Sequence, residues 1–115
     1  MFGWFGFGGG NMKSLSAGEL RDLMREKDGA LVVIDVREDK EWAGGRIPGA
    51  IHAPLSRFAA AMAKIPTGKK VVFYCQSGMR SRSAISAAKK MGYEPHGHLG
   101  GGISDWRRHD FPIVR

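Results

Sequence analysis

The sequence has a single cysteine, Cys75, so the chain cannot close an intramolecular disulfide. A free thiol suits a reducing compartment, and we therefore predict a cytoplasmic protein. Metal ligands are also scarce. Of the four histidines only His96 and His98 are close in sequence, and Cys75 has no second sulfur at ligand spacing. We predict neither a metal site nor a cofactor.

Acidic residues are few and unevenly distributed, and the net charge is +7. Residues 1–56 hold seven basic and eight acidic side chains, whereas residues 57–115 hold eleven basic and three acidic ones. A positive field around Cys75 would attract small anions, although the same charges could serve only as a solvated surface. The basic residues form no run and no nucleic-acid-binding motif, so we predict no nucleic-acid partner.

No charged side chain occurs before Lys13. Residues 1–10 instead contain three Phe, one Trp and five Gly. This segment is too short to span a bilayer, and it lacks the basic start and the length of a secretory signal. We interpret residues 1–11 as a flexible tail that precedes one domain over residues 12–115. A weak membrane or protein contact through the aromatic side chains of residues 1–10 is the alternative interpretation.

The rest of the chain alternates apolar runs with amphipathic stretches, and 115 residues are too few for two domains. The runs Leu31–Asp35 and Val71–Cys75 lack polar alternation, which is typical of parallel strands buried on both faces. Shorter strands are predicted near residues 51–53 and 96–99. Helices are predicted from the capping box at 16–19 to a stop at Gly29, and over residues 38–43, 57–64, 81–91 and 103–108. This order predicts an α/β domain with a parallel sheet.

The segment Cys75–Ser81 lies between a predicted buried strand and a predicted helix, where open α/β sheets place their binding sites. Backbone N–H groups of such a loop converge on one point, and the helix start adds positive potential, so a thiolate there is stabilised. Gly78 permits a positive φ, and Arg80 can donate to an oxyanion. A lone cysteine at a strand end is often an inert core residue. The glycine-containing polar loop with its arginine favours a reactive one.

Four motifs, taken together, resemble the rhodanese family, in the family's order over residues 12 to 114. They are Asp35–Glu38, Gly45–Pro54, Cys75–Ser81 and Leu99–Trp106. Two positions depart from the family pattern, since Arg46 replaces a usual His and Asp110 replaces a usual Gly. The loop carries Gln and Met in place of a second cation, which leaves the preferred donor open.

The resemblance implies a three-layer α/β domain with a central parallel five-stranded sheet flanked by helices. It also implies transfer of sulfane sulfur from a small anionic donor such as thiosulfate to an external thiol or cyanide. By similarity Cys75 is the nucleophile and persulfide carrier. The residues around its outer sulfur would be Gln76, Ser77, Gly78, Met79, Arg80 and Ser81. Asp35 and Arg37 would brace this loop or neighbouring turns, or else form an exposed surface pair.

Two other functions remain as alternatives. Phosphatases and arsenate reductases also occur on this fold, but their loops hold five residues between cysteine and arginine, whereas four separate Cys75 from Arg80. Binding or regulatory modules of the family typically lose the cysteine, which this chain keeps. A fold by itself does not decide among these functions.

Overall fold

A computed structural model describes residues 13–26 and 29–115 of the chain. Its strands are β1 (Lys13–Leu15), β2 (Leu31–Asp35), β3 (Ile51–His52), β4 (Lys70–Tyr74) and β5 (Gly97–Leu99). Its helices are α1 (Ala17–Arg25), α2 (Asp39–Ala43), α3 (Phe58–Met62), α4 (Met79–Lys90) and α5 (Gly102–Arg108), with a 3₁₀ turn over Leu55–Arg57. The predicted tail, residues 1–11, lies outside the described residues, so the boundary at residue 12 stays a prediction.

The strands of the described residues form one five-stranded sheet in the order β1-β5-β4-β2-β3, and every neighbouring pair is parallel. The two continuous apolar runs, β2 and β4, lie side by side near its centre and pair along their whole lengths. The predicted parallel five-stranded sheet is confirmed. Because β2 and β4 are in register, Asp35 lies beside Tyr74, and the residues that follow the two strands reach the same edge of the sheet.

A hydrophobic cluster covers each face of the sheet, because successive side chains of a strand point to opposite faces. On one face Ile34 and Phe73 pack with residues of α3 and α4. On the other face Val33, Val72 and Tyr74 pack with residues of α1 and α5. The central strands therefore need apolar residues on both faces, and the predicted three-layer arrangement is confirmed.

The structure differs from the sequence prediction at two elements outside the site. Strand β1 has no apolar run to reveal it, since only Leu15 of its residues is buried, and its pairing with β5 defines it. Helix α1 begins at the predicted capping box, where Ser16 and Glu19 exchange hydrogen bonds. It ends at Arg25 rather than near Gly29, because Glu26 already has extended backbone with ψ 134°.

Candidate active site

Cys75 directly follows β4 at the carboxyl edge of the sheet. The chain then turns through Gly78 and enters α4 at Met79, two residues before the predicted start at Ser81. Gly78 has a φ of 101°, a left-handed conformation that glycine adopts without a side-chain clash. This turn brings the first turn of α4 against Cys75. The N–H groups there have no partner within the helix, so they are free to face the sulfur.

The sulfur of Cys75 lies under this turn, and only 1% of the residue is exposed. The N–H of Gly78 donates to Sγ at 3.1 Å, and the Ser81 hydroxyl oxygen lies 3.7 Å from Sγ. Burial raises the pKa of the thiol, but the N–H and hydroxyl of Ser81 and the N–H groups of Gly78 and Ser77 act against it. Their combined effect lowers the pKa of Cys75 below its ordinary value. The site therefore stabilises a thiolate despite its burial.

This loop crosses the segment Gly100–Gly102 at close range, at two points. A Cβ atom placed on Gly78 would lie 2.1 Å from the carbonyl oxygen of Gly100. A Cβ atom placed on Gly102, whose φ is 64°, would lie 2.2 Å from the carbonyl oxygen of Gln76. Real Cβ atoms do not approach so closely, so both crossings require glycine. The Leu99–Trp106 motif is thus part of the site.

Hydrogen bonds from the start of α5 fix the loop in this position. The N–H of Ile103 donates to the Cys75 carbonyl at 2.9 Å, and the N–H of Ser104 donates to the Gln76 carbonyl at 3.2 Å. The side-chain amide of Gln76 donates to the Ser104 hydroxyl at 2.9 Å. The predicted site residue Gln76 therefore anchors the loop to α5 through both its backbone and its side chain.

The structure places Arg80 differently from the sequence prediction, which assigned it to an oxyanion. Both of its terminal nitrogens donate to the carboxylate of Glu41 in α2, each at 2.8 Å. These bonds from Arg80 lower the pKa of Glu41 to about 2, with burial opposing them and the Glu38 N–H assisting them. Glu41 thus neutralises Arg80. No local signal marks Glu41, because its partner is 39 residues away in sequence.

Of the remaining loop residues, some face the sulfur and one is exposed at the surface. Ser77, Gly78 and Ser81 present donors to Cys75, whereas the side chain of Met79 is 77% exposed. An open pocket lies beside the loop, and its lining consists of Ser77, Gly78, Met79, Arg82 and Gly100. Sequence analysis did not single out Arg82, which forms no ion pair with another described residue.

Asp35 and Arg37 form a buried ion pair rather than an exposed surface pair. Arg37 donates to both oxygens of Asp35 through Nε and Nη2, at 2.8 to 3.1 Å. Its Nη2 also donates to the Gly45 carbonyl at 2.7 Å, and His52 donates to its backbone carbonyl at 2.7 Å. These bonds brace the turn after α2 and the end of β3. Asp35 and Arg37 thus support the neighbouring turns, and among the described residues they form no hydrogen bond or ion pair with Cys75–Ser81.

Together, the fold and the site define an α/β protein with a buried cysteine of lowered pKa between a central strand and the helix that follows it. The model of the rhodanese-like domain family matches residues 16–109. The chain therefore belongs to the rhodanese-like domain family, within the sulfurtransferases.

Individual relatives agree with this assignment. A sulfurtransferase from Allochromatium vinosum is 39% identical over 84 residues, which cover 73% of this chain and 78% of that protein. Other curated relatives are longer, and the matched regions cover only 51% and 23% of two of them. Among solved structures, a rhodanese-related protein from Thermoplasma volcanium superposes with a TM-score of 0.78 at 28% identity, covering 89% of this chain and 97% of the other. A protein from Rhodopseudomonas palustris, described as a possible tyrosine phosphatase, superposes with a TM-score of 0.73 at 27% identity, covering 90% and 85%.

The crossing at Gly102 gives a prediction about stability. Gly102→Ala should destabilise the protein by about 3 kcal/mol, because the new Cβ meets the Gln76 backbone and φ is positive. Gly92→Ala is the matched control, since Gly92 has a φ of 95° but nothing within 4 Å of a Cβ. Its cost should be only about 1 kcal/mol. Denaturant unfolding checks both values, and equal losses would show that the crossing contributes nothing.

The ion pair of Arg80 gives a prediction about charge selectivity at Cys75. Glu41→Gln should free the guanidinium and raise the rate of Cys75 alkylation by anionic iodoacetate roughly three-fold relative to neutral iodoacetamide. Asp39→Asn removes the same charge from the same helix, but Asp39 pairs with the exposed Arg57. The ratio of the two rates should not change in that control. A similar ratio in both variants would contradict the neutralising role of Glu41.

Proposed function

We propose that Cys75 carries sulfane sulfur as a persulfide and moves it from an anionic donor such as thiosulfate to an external thiol or cyanide. The observation that supports this most is the set of donors around the sulfur, with the Gly78 N–H at 3.1 Å. These donors stabilise one negatively charged sulfur before the reaction. They are equally suited to the charged outer atom of a persulfide, which extends from the same point.

The reaction consists of two displacements that share one covalent intermediate. The Cys75 thiolate attacks the outer sulfur of thiosulfate, the new S–S bond forms, and sulfite leaves with the electron pair of the broken S–S bond. An acceptor thiolate or cyanide then attacks the outer sulfur of the persulfide, and Cys75 leaves as a thiolate. Because the chain has one cysteine, no second thiol of the chain can resolve the persulfide, and the acceptor is external.

Charge and access near the loop favour a small anionic donor. Arg82 lines the pocket beside the loop, and residues 57–115 contribute eleven basic and three acidic side chains. A positive field of this kind raises the local concentration of anions. Cys75 is 1% exposed, so a donor must offer its sulfur end-on. Thiosulfate meets both conditions, since it is a small anion with a terminal sulfur atom.

A phosphatase reaction fits this site less well, although one similar structure is described as a possible tyrosine phosphatase. A phosphoryl group brings three peripheral oxygens, and each needs a donor at about 2.7–3.1 Å. Only four residues separate Cys75 from Arg80, and Glu41 already holds the Arg80 guanidinium. A binding module without catalysis fits less well too, because it would have no use for a thiol whose pKa is lowered.

The location and the domain bounds of the protein belong to the same proposal. Across the described part of the chain, no helix combines the length and the apolar character that crossing a membrane requires. Because Cys75 is a free thiol, we propose a cytoplasmic location. We also propose residues 12–115 as the domain. We propose neither a metal nor a cofactor for it. A membrane or protein contact of residues 1–10 also stays a prediction, outside the described residues.

Intact-mass spectrometry after incubation with thiosulfate tests the proposed chemistry. The protein should gain the mass of one sulfur atom, and cyanide should remove it, because the persulfide is the shared intermediate. Cys75→Ser should gain no mass and should lose thiosulfate:cyanide activity to the background level, while circular dichroism shows an unchanged fold. Retained sulfur transfer in this variant would contradict the assignment of Cys75.

The same preparations should be tested with an aryl phosphate. The unaltered protein should show no hydrolysis above that of Cys75→Ser, because a loop with four residues between Cys75 and Arg80 is too short to place a donor on each oxygen of a phosphoryl group. Hydrolysis by the unaltered protein that disappears in Cys75→Ser, with no sulfur adduct in the mass spectrum, would replace the sulfurtransferase proposal by a phosphatase.

A further inference from the structure

A buried hydrogen bond joins the candidate active site to the middle of β5. The Nδ1 atom of His98 lies 2.7 Å from the hydroxyl oxygen of Ser81. Both residues are buried, with exposures of 2% and 0%. His98 is paired in the sheet with Phe73 of β4, so the strand holds its position. The sequence motifs did not include His98, and the reaction described above does not use it.

Among the described residues, the Ser81 hydroxyl oxygen has three polar neighbours. They are His98 Nδ1 at 2.7 Å, the Gly78 carbonyl oxygen at 3.1 Å and Cys75 Sγ at 3.7 Å. A hydroxyl has one proton to donate. If Nδ1 accepts that proton, the sulfur loses a donor. If Nδ1 instead carries a proton and donates it, the Ser81 proton remains available to the sulfur and to the Gly78 carbonyl, which accepts it at 3.1 Å. The tautomer of His98 therefore decides what Ser81 can do.

Two arguments favour the proton on Nδ1. Burial lowers the pKa of His98, and the charge of Arg82 lowers it further, so the ring is neutral at neutral pH and carries one proton. On Nδ1 that proton meets the Ser81 oxygen at 2.7 Å inside the site, whereas on Nε2 it would bond to no described residue and only to solvent. When Cys75 is a thiolate, the hydrogen bond from the Ser81 hydroxyl to the sulfur is also stronger, since hydrogen bonds to charged acceptors are roughly twice as strong as neutral ones. The sulfur can thus compete with the closer Gly78 carbonyl.

We propose that His98 is a positioning residue, which donates from Nδ1 to the Ser81 oxygen and thereby directs the Ser81 hydroxyl proton at the Cys75 sulfur. The proposal deepens the function proposed above and rests on the use of Cys75 as the sulfur carrier. Two arginines act on this chain of atoms through their charge. The charge of Arg82 lowers the pKa of His98, and Arg80, which Glu41 neutralises, interacts with Cys75. Among the described residues, none of the three bonds to the Ser81 hydroxyl.

Alkylation of Cys75 by neutral iodoacetamide across pH provides the main test, because Cys75 is the only thiol and only the thiolate reacts. His98→Leu should lower the rate at pH 7 roughly five-fold and shift the titration to higher pH, through the loss of a hydrogen bond to the thiolate. His98→Asn should retain most of the rate, because its amide can donate from nearly the same place as Nδ1. Equal losses in both variants would overturn the proposal.

A double-mutant cycle shows whether His98 acts through Ser81. Ser81→Ala alone should slow alkylation as much as His98→Leu, and His98→Leu should then cause no further loss in the Ser81→Ala background. Additive losses would show that His98 acts by another route and would overturn the proposal. Because His98 is buried, thermal unfolding of each variant should accompany the rates.

The tautomer of His98 can be measured in the unaltered protein, which avoids any variant that fails to fold. Nuclear magnetic resonance correlations of the ring nitrogens should show the proton on Nδ1, and a proton on Nε2 would refute the proposal. None of these measurements requires sulfur transfer. A protein that forms no persulfide with thiosulfate would therefore disprove the proposed function, while the alkylation rates and the ring spectrum would still decide the role of His98.

Discussion

The crossing of two backbone segments at the carboxyl edge of the sheet is the constraint on which the site depends. Gly78 passes against Gly100, and Gly102 passes against Gln76, at distances that leave no room for a Cβ atom. This contact holds the loop after β4 in the curl that directs N–H groups at Cys75. Without it, burial would raise the pKa of the thiol unopposed, and the cysteine would behave as a core residue.

The backbone donors around Cys75 also affect how the site handles charge. A site that uses backbone N–H groups and hydroxyls can stabilise an anionic sulfur without a cation beside it. The structure is consistent with this, since the arginine of the loop, Arg80, is neutralised by Glu41. Positive charge is instead available at the open pocket beside the loop, which Arg82 lines. Under the proposed function, stabilisation of the sulfur and attraction of an anionic donor would therefore fall to different groups.

Much of the fold was predictable from local patterns. The unbroken apolar runs of β2 and β4 indicate strands covered on both faces, and the Ser16 to Glu19 spacing marks the start of α1. These signals suffice because they depend on neighbours in sequence. Strand β1 gave no such signal, because its exposed residues are held by pairing with β5. The start of α4 was misplaced by two residues, because the conformation of Gly78 determines it.

The sequence alone determined that the chain is a parallel α/β domain and that Cys75, in a glycine-containing loop before a helix, is the residue to test. It also determined that Cys75 is the one cysteine of the sequence. Only the tertiary structure decided that Arg80 is paired with Glu41, that Asp35 and Arg37 are buried, and that His98 reaches Ser81. The physical reason is range: backbone preferences and apolar periodicity act between near neighbours, whereas these side-chain partners meet only when separate strands and helices pack together.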